Sequence, residues 1–466
     1  MSAVPGTKGR LDALRERELA RFADERPHGV EELARARSRM PNGVPMAWMS
    51  ELYTHPPIFV DAGHGGTFTD IDGNTYIDFN LADTSMFTGY GVEAISEVVA
   101  KRVKDGSQFL LPTQDAVEVA TRLAARFGLP FWQFTLSATQ ANVEAIRTAR
   151  ALTGRDAVLM FDGKYHGHAD ELLAVRDKGE VVPEGRGVLR DATRHVRLVP
   201  YNDLDAVSRE LARGDIACVV AEAAITNAGV ILPAEGFHAG LRRLTSDAGT
   251  LLVIDETHTL VAGPGGLTAR WGLQPDLLVV GKSVSGGISL GAYGMTERVA
   301  AVLDDPDAAS GESVATGDTL FGNALSRVAT GGTLFGNALS LAAARVTLEQ
   351  VLTDQGYAHA AALGGKLADG MKRPLPQTVS TGAHIACTTA AATRTGRISR
   401  PTPPMLGTAS MPNSSTFSGS IWPTAESGRR STRPARRQGS RRRPSTSTIT
   451  SKCSTISSAS CGNDGR

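Results

Sequence analysis

Aromatic residues are scarce in this chain, 5% of its 466 residues, and cysteine is scarcer, with four in all. Four cysteines without paired spacing match neither the disulfide framework of a small secreted domain nor a zinc site. No run approaches the ~18 consecutive apolar residues that a membrane helix needs. An excess of one charge is also missing: 49 basic residues meet 48 acidic ones, for a formal charge of +1. The chain as a whole therefore gives no reason to expect a nucleic-acid or anionic-membrane partner. Residues 1–6 read Met-Ser-Ala-Val-Pro-Gly and lead into a charged helical stretch, with no apolar signal core. A cytoplasmic location is expected. What is present looks ordinary: 41% apolar and 21% charged residues exclude wholesale disorder, collagen and coiled coil. At ~150 residues per domain the prior is about three domains, which large α/β units often merge.

The balance conceals a split. Residues 375–466 hold 13 Lys and Arg against two acids, Glu426 and Asp464, a net of +11. The other 374 residues carry 36 basic and 46 acidic side chains, a net of −10. Three of the four cysteines (Cys387, Cys453, Cys461) lie in this tail, and Ser and Thr fill about a third of it. It shows no helical or strand periodicity, and such a segment buries too little apolar area to offset its ordering entropy. It reads as a basic arm for nucleic acid, as a natural disordered extension, or as a GC-rich coding region translated out of frame. The abrupt change directly after a well-patterned helix favours the third. A second oddity is a local duplication: VATGDTLFGNALS at 314–326 returns as VATGGTLFGNALS at 328–340, offset by 14 residues. Repeat architectures need several units with a period of at least ~20. The second copy runs straight into an amphipathic helix over 341–351, so it is taken as the copy in register.

In the body, residues 9–39 read as helix broken by Pro27 and Pro41. Residues 58–80 read as strands, with Asp72-Gly73-Asn74 turning a hairpin. From about residue 115, helical stretches (116–125, 141–152, 237–248) separate short, almost wholly apolar runs at 157–161, 216–221, 251–254 and 277–280. Such runs are expected of strands buried on both faces of a parallel sheet, so the fold class is α/β. Ligands of such sheets bind beyond the carboxyl ends of the strands.

Two of those ends carry chemistry. The run 251–254 ends in Asp255-Glu256-Thr257-His258, and 277–280 ends in Gly281-Lys282. A lysine forms a Schiff base with an aldehyde cofactor when its site favours the neutral amine. An aspartate can hold the protonated nitrogen of a pyridine ring. Each signal alone also fits a solvated strand end or a helix cap. The loop Leu136-Ser137-Ala138-Thr139-Gln140-Ala141-Asn142, ahead of a helix from Val143, offers backbone N–H groups for a phosphate, or simply an N-cap by Ser137 or Thr139. Asp162-Gly163-Lys164-Tyr165-His166-Gly167-His168 offers an aromatic to stack on a planar cofactor, or a surface turn. His166 and His168 have no third ligand in view, so no metal is expected.

Together these pieces resemble the class III aminotransferases, which use pyridoxal 5′-phosphate on a type I fold, and within them the glutamate-1-semialdehyde aminomutase-like subgroup. The resemblance covers roughly residues 30–373. Its motifs are Met40-Pro41-Asn42-Gly43-Val44, the stretch from Asp70 to Phe79, the 137–142 loop, Tyr165-His166-Gly167, Asp255-Glu256-Thr257, Gly281-Lys282 and Gly332-Thr333-Leu334-Phe335-Gly336-Asn337. It implies a large cofactor-binding α/β domain at 81–345. A smaller α+β domain would be built from 1–80 and a C-terminal part beginning at 346–374 and otherwise lost, with 375–466 as the tail. It implies that Lys282 is the Schiff-base and proton-shuttling lysine and that Asp255 pairs with the pyridine nitrogen. Tyr165 would stack on the ring, and Ser137, Ala138 and Thr139 would cradle the phosphate. His166, Glu222 and Thr257 would line the cofactor, and Thr333 would reach the phosphate of a neighbouring subunit in a homodimer with shared sites.

The chain also departs from the pattern. The phosphate loop reads Ser-Ala-Thr-Gln rather than Ser-Gly-Thr-Glu. Pro45-Met46-Ala47-Trp48 stands where the aminomutases carry an arginine after Gly-Val, and Ala223 follows Glu222 in place of proline. Asp83 has no assigned role. The expected function is a transaminase passing an amino group between a small-molecule amino donor and a keto acid by ping-pong chemistry. The alternatives are an intramolecular aminomutase and a homologue that has lost catalysis.

Overall fold

The computed structural model describes residues 7–52, 55–304 and 328–371. The first copy of the duplication, the basic tail and Cys387, Cys453 and Cys461 lie outside the described residues. All described residues belong to one compact unit.

The chain opens with helices Thr7–Asp24 and Pro27–Arg37, separated where Pro27 restarts the helix at its first position. Strands β1 (Val60–His64), β2 (Thr67–Asp70) and β3 (Thr75–Ile77) then form a small antiparallel sheet. The β2–β3 turn uses Gly73 at φ +84, a conformation that costs glycine nothing. The main sheet has seven strands: β4 (Phe131–Thr135), β5 (Ala157–Phe161), β8 (Val196–Val199), β9 (Ile216–Glu222), β10 (Leu251–Asp255), β11 (Leu277–Val280) and β12 (Gly291–Met295). Between β5 and β8, β6 (Ala174–Asp177) and β7 (Glu180–Pro183) form a separate hairpin. The spatial order is β4-β12-β11-β10-β9-β5-β8. The pairs from β8 to β11 are parallel, and β12 runs antiparallel to both β11 and β4.

All four apolar runs are strands, buried at every position because both faces are covered. Helices Ala138–Thr153 and Glu297–Asp304 pack on one face through Ala141, Ala145, Ile146, Ala149, Val299 and Ala300. Helices Leu204–Leu211 and Phe237–Asp247 cover the other through Val207, Leu211, Phe237 and Leu241. Each fully buried Leu, Ile or Phe contributes ~1.5–3 kcal/mol relative to exposure, which fixes the sheet as a rigid platform. Two boundaries differ from expectation. The helix after the 136 loop begins at Ala138 and not Val143, because Ser137 caps it by accepting Gln140 N–H at 3.3 Å. The helix expected over 341–351 is Ala338–Val346 followed by a wider turn, Thr347–Val351. Asn337 caps it by accepting Ser340 N–H at 2.8 Å, so the second copy of the duplication runs directly into its helix.

Candidate active site

The parallel register brings the chemistry to one edge. Asp255 pairs with Glu222 across β10 and β9 and with Val279 across β10 and β11, so the ends of three neighbouring strands lie side by side. Lys282 follows two residues beyond β11. Asp255 is 3% exposed. Its Oδ2 accepts Asn142 Nδ2 at 2.8 Å and His166 Nδ1 at 2.9 Å, and its Oδ1 accepts the Thr257 N–H at 3.0 Å and hydroxyl at 2.5 Å. Burial alone would raise its pKa, but the hydrogen bonds and charges of this ring of donors, His166 foremost, hold it at about 2. Asp255 is thus a buried carboxylate, fully ionised at neutral pH. With Nδ1 donating, His166 Nε2 is a buried nitrogen without a partner among the described residues.

The helix from Ala138 starts beside these groups. Gln140 and Ala141 N–H are engaged by Ser137, which leaves those of Ala138 and Thr139 as the open donors of the first turn. The approach is close on two sides. A Cβ on Gly281 would lie 2.9 Å from Ala138 Cβ, and one on Gly167, at φ +114, would lie 2.3 Å from Thr139 Oγ1. Glycine at both positions lets the lysine loop and the 162–168 loop press against that helix start. Tyr165 is 40% exposed, and its hydroxyl pKa is raised by partial burial and by the charges of Asp83 and Glu184.

Lys282 has its backbone in the left-handed region at φ +50. Its Nζ donates to Asp83 Oδ2 at 2.6 Å and also contacts His258 Nε2. Asp83 is carried by an unusual backbone: residues 81–84, none of them glycine, all have φ between +48 and +66. Each such residue costs roughly 1–2 kcal/mol. The turn is held by Asp78 Oδ1, which accepts the Asn80 and Leu81 N–H at 2.7 and 2.9 Å, and by Asn80 Oδ1, which accepts the Asp83 N–H at 2.7 Å. His258, against the cost of burial, and then Lys282 hold the Asp83 carboxyl well below the usual carboxylate range. Behind His258, Nδ1 lies 2.6 Å from Thr226 Oγ1, which bonds the buried Glu222 Oε2. Burial pushes the Glu222 pKa up.

Among the residues singled out from sequence, Ser137, Ala138, Thr139, His166, Glu222, Asp255, Thr257 and Lys282 converge here, with Tyr165 on the adjoining loop. Thr333 does not join them. It is exposed, and its carbonyl accepts Gln108 Nε2 at 2.5 Å. Sequence reasoning overlooked Asn142, Asp83, Thr226 and His258 as partners of the site. For Asn142 a signal existed: it sits on the buried face of an alanine-rich helix, where a polar side chain must have partners. For the other three, the contacts join segments far apart in the chain.

A family model described as aminotransferase class-III matches residues 48–382. This chain belongs to the class III aminotransferases. The glutamate-1-semialdehyde 2,1-aminomutase 2 of Lysinibacillus sphaericus is 36% identical over 250 residues, 52% of this chain and 58% of that protein. The chain thus spans less than two thirds of that relative's length. The glutamate-1-semialdehyde 2,1-aminomutase of Chloroflexus aggregans is 34% identical over 326 residues, 68% of this chain and 70% of that protein. Among solved structures, a glutamate-1-semialdehyde aminomutase from Pseudomonas aeruginosa in complex with PMP has a TM-score of 0.71 at 40% identity, covering 78% of this chain and 79% of that one. An omega-transaminase from Sphaerobacter thermophilus has a TM-score of 0.65 at 27% identity, covering 73% and 76%.

Pyridoxal phosphate is the cofactor of class III aminotransferases, and the site has the chemistry for it. An ionised buried carboxylate suits a pyridinium nitrogen. Its acceptor positions are filled, but the Thr257 hydroxyl, the donor free to rotate away, can yield one. Two open N–H groups at a helix start suit a phosphate. Among the described residues, no helix is long and apolar enough to cross a membrane, and no group of three or more His, Cys, Asp or Glu is arranged to hold a metal ion.

Proposed function

We propose that this chain is a pyridoxal-phosphate enzyme of the aminomutase type. It would exchange an amino and an oxo group on neighbouring carbons of one skeleton, as the name glutamate-1-semialdehyde 2,1-aminomutase describes for its relatives. The observation that carries the reading is the pairing of an ionised, buried Asp255 at the end of β10 with Lys282 just beyond neighbouring β11.

When bound, the cofactor supplies an aldehyde that condenses with amines and a protonated pyridine ring that withdraws electrons from the substrate carbon. In this reading Asp255 holds the proton on the ring nitrogen, and Asn142 and His166 fix the direction of its carboxylate. The N–H groups of Ala138 and Thr139 bind the phosphate, with Ser137 holding the helix start in place. Tyr165 would stack against the ring, and Glu222 and Thr257 would line the cavity. Lys282 Nζ would hold the aldehyde end of the cofactor and would be the group that carries a proton taken from the substrate carbon. Thr333, at the surface of its own chain, reaches the phosphate of a second copy in a homodimer.

A transaminase acting between a separate amino donor and keto acid is the second reading. It is favoured by Pro45-Met46-Ala47-Trp48, which offers no arginine for a second carboxylate and leaves Trp48 50% exposed. Full-length protein mixed with pyridoxal phosphate is expected to develop a visible absorbance band, to be fixed covalently by borohydride, and to lose both properties on Lys282→Ala. No band from the unaltered chain would remove both readings and leave a homologue without catalysis. With the band present, turnover of glutamate 1-semialdehyde without an added acceptor supports the aminomutase. Ping-pong kinetics needing two substrates would replace it with the transaminase.

A further inference from the structure

We propose that His258, Thr226 and Glu222 form a proton relay that removes a proton from Lys282 Nζ and stores it on a buried carboxyl. The inference rests on the reading of Lys282 as the amine that joins the cofactor aldehyde. An aldehyde is attacked by the neutral amine only, whereas a lysine of ordinary pKa, ~10.4, is an ammonium at neutral pH. The nearest acid makes this harder: Asp83 Oδ2, 2.6 Å from Nζ, stabilises the ammonium. The proton needs somewhere else to go.

The other contact of Nζ leads inward. His258 Nε2 touches Lys282 Nζ, and His258 Nδ1 lies 2.6 Å from Thr226 Oγ1. That hydroxyl bonds Glu222 Oε2, which also accepts the Thr226 N–H at 3.1 Å. The outer members are partly open, with the His258 and Lys282 side chains 17% and 19% exposed, while Glu222 is 2% exposed. The chain accommodates two complete arrangements of protons. In the first, Lys282 is an ammonium and donates to the bare Nε2; His258 Nδ1–H donates to Thr226, and the Thr226 hydroxyl donates to ionised Glu222. In the second, every proton has moved one place. Nζ gives a proton to Nε2, Nδ1 gives one to Oγ1, and Oγ1 gives one to Oε2. Lys282 is then a neutral amine, His258 and Thr226 are neutral as before, and Glu222 is a neutral acid. No proton is gained or lost, and no outside acid or base is consumed.

The surroundings decide which arrangement is reachable. Lys282 is faced by Asp83 and His258. His258 is faced by Asp83 at 3.7 Å as well as by Lys282. Around Glu222 stand His166 and His258, which in their protonated forms favour its ionised state, and Asp255, whose charge opposes it. Lys164 and Tyr201 also lie within its electrostatic reach. Burial is the largest influence on Glu222 and favours the neutral acid, so the inner end of the relay is built to accept a proton.

The test reads Lys282 directly, in the full-length protein freed of cofactor. Trace dinitrofluorobenzene labels neutral amines, and mass spectrometry follows the Lys282 peptide from pH 6 to 10.5. His258→Phe and Thr226→Val each break the relay while Asp83 remains. Each is expected to slow Lys282 labelling at pH 8 about tenfold, as the neutral share of its amine falls by that factor. The deficit should narrow toward the alkaline end of the range. Thr226→Ser keeps the hydroxyl and is expected to label like the parent, which separates the relay from general disruption. The second-order rate of pyridoxal phosphate capture should follow the same order. Unchanged Lys282 titration in both His258→Phe and Thr226→Val would overturn the relay even if the cofactor binds normally. The expected titration without any cofactor capture would leave the relay standing and overturn the proposed function instead.

Discussion

Asn142 gives the sharpest test of how the site is held. Its Nδ2 bridges the His166 carbonyl at 2.9 Å and Asp255 Oδ2 at 2.8 Å, and the residue is fully buried. Asn142→Ala removes one neutral hydrogen bond, worth about 1 kcal/mol, and one to a charged group, worth about 2 kcal/mol, so a loss of about 3 kcal/mol is expected. Asn142→Asp keeps the shape and sets a second carboxyl against the first. At 2.8 Å and an effective dielectric of ~20 the repulsion is about 6 kcal/mol. At pH 8 the chain can avoid that only by protonating one acid, which costs about 5.5 kcal/mol relative to an ordinary aspartate of pKa ~3.9. The pair's folded pKa is raised above its unfolded value. The penalty is therefore full at high pH and falls by about 1.4 kcal/mol for each unit of acidification. At pH 5.5 it should be near 2 kcal/mol, and the protonated acid can donate back to Asp255. The two variants are thus expected to exchange rank: Asp worse than Ala at pH 8, no worse at pH 5.5. Urea unfolding of the cofactor-free protein at both pH values measures this. A constant rank, or an alanine variant within 0.5 kcal/mol of the parent, would refute the assignment of Asn142 as a tie between helix, loop and strand end.

Gly167→Ala is expected to weaken pyridoxal phosphate binding at least about tenfold, or about 1.4 kcal/mol, because its Cβ would lie 2.6 Å from Thr139 Cα and displace the helix start. An unchanged Kd by absorbance titration would contradict that contact. Cys218, in the middle of β9 with its thiol pushed up to about 12 by burial, should resist iodoacetamide at pH 8 and label only in denaturant; native labelling of its peptide would argue against the packed sheet. Gly266→Ala should destabilise strongly, by about 3 kcal/mol or more. Its φ is +59 and a Cβ would fall 2.2 Å from the carboxyl group of buried Glu256, so a neutral result in urea unfolding would contradict that close approach.

The central strands were legible because each is a short run of apolar residues with nothing on either side to satisfy except more core. The neighbouring β12 was not. Gly291-Ala292-Tyr293-Gly294-Met295 has two glycines and little strand propensity, yet it is buried throughout. Those glycines answer to close approach: a Cβ on Gly291 would meet the Ser137 carbonyl at 2.3 Å, and one on Gly294 would meet the Trp132 ring at 2.6 Å. Packing from β4 and the helix start, invisible locally, overrode propensity. The site divides along the same line. Lys282 and Asp255 could be read because they end apolar runs, and Tyr165-His166 because it follows one. Asp83, Thr226 and His258 gain meaning only through each other. Their segments meet when the sheet is complete, and the four left-handed residues that deliver Asp83 carry no glycine to announce the turn.

That dispersal has a consequence for how the molecule is made. The groups gathered at the strand ends come from positions 83, 142, 166, 222, 255 and 282, and the β12 glycine that lets the helix start dock lies later still, at 291. During synthesis no fragment that ends before Lys282 holds more than part of this set. Contacts of such long sequence separation form late in folding, after the entropy of closing long loops has been overcome. The cofactor cannot nucleate the fold from its early pieces, and its capture marks the end of assembly rather than the beginning. In a pulse-chase experiment the coloured state would serve as a clock for the insertion of β12.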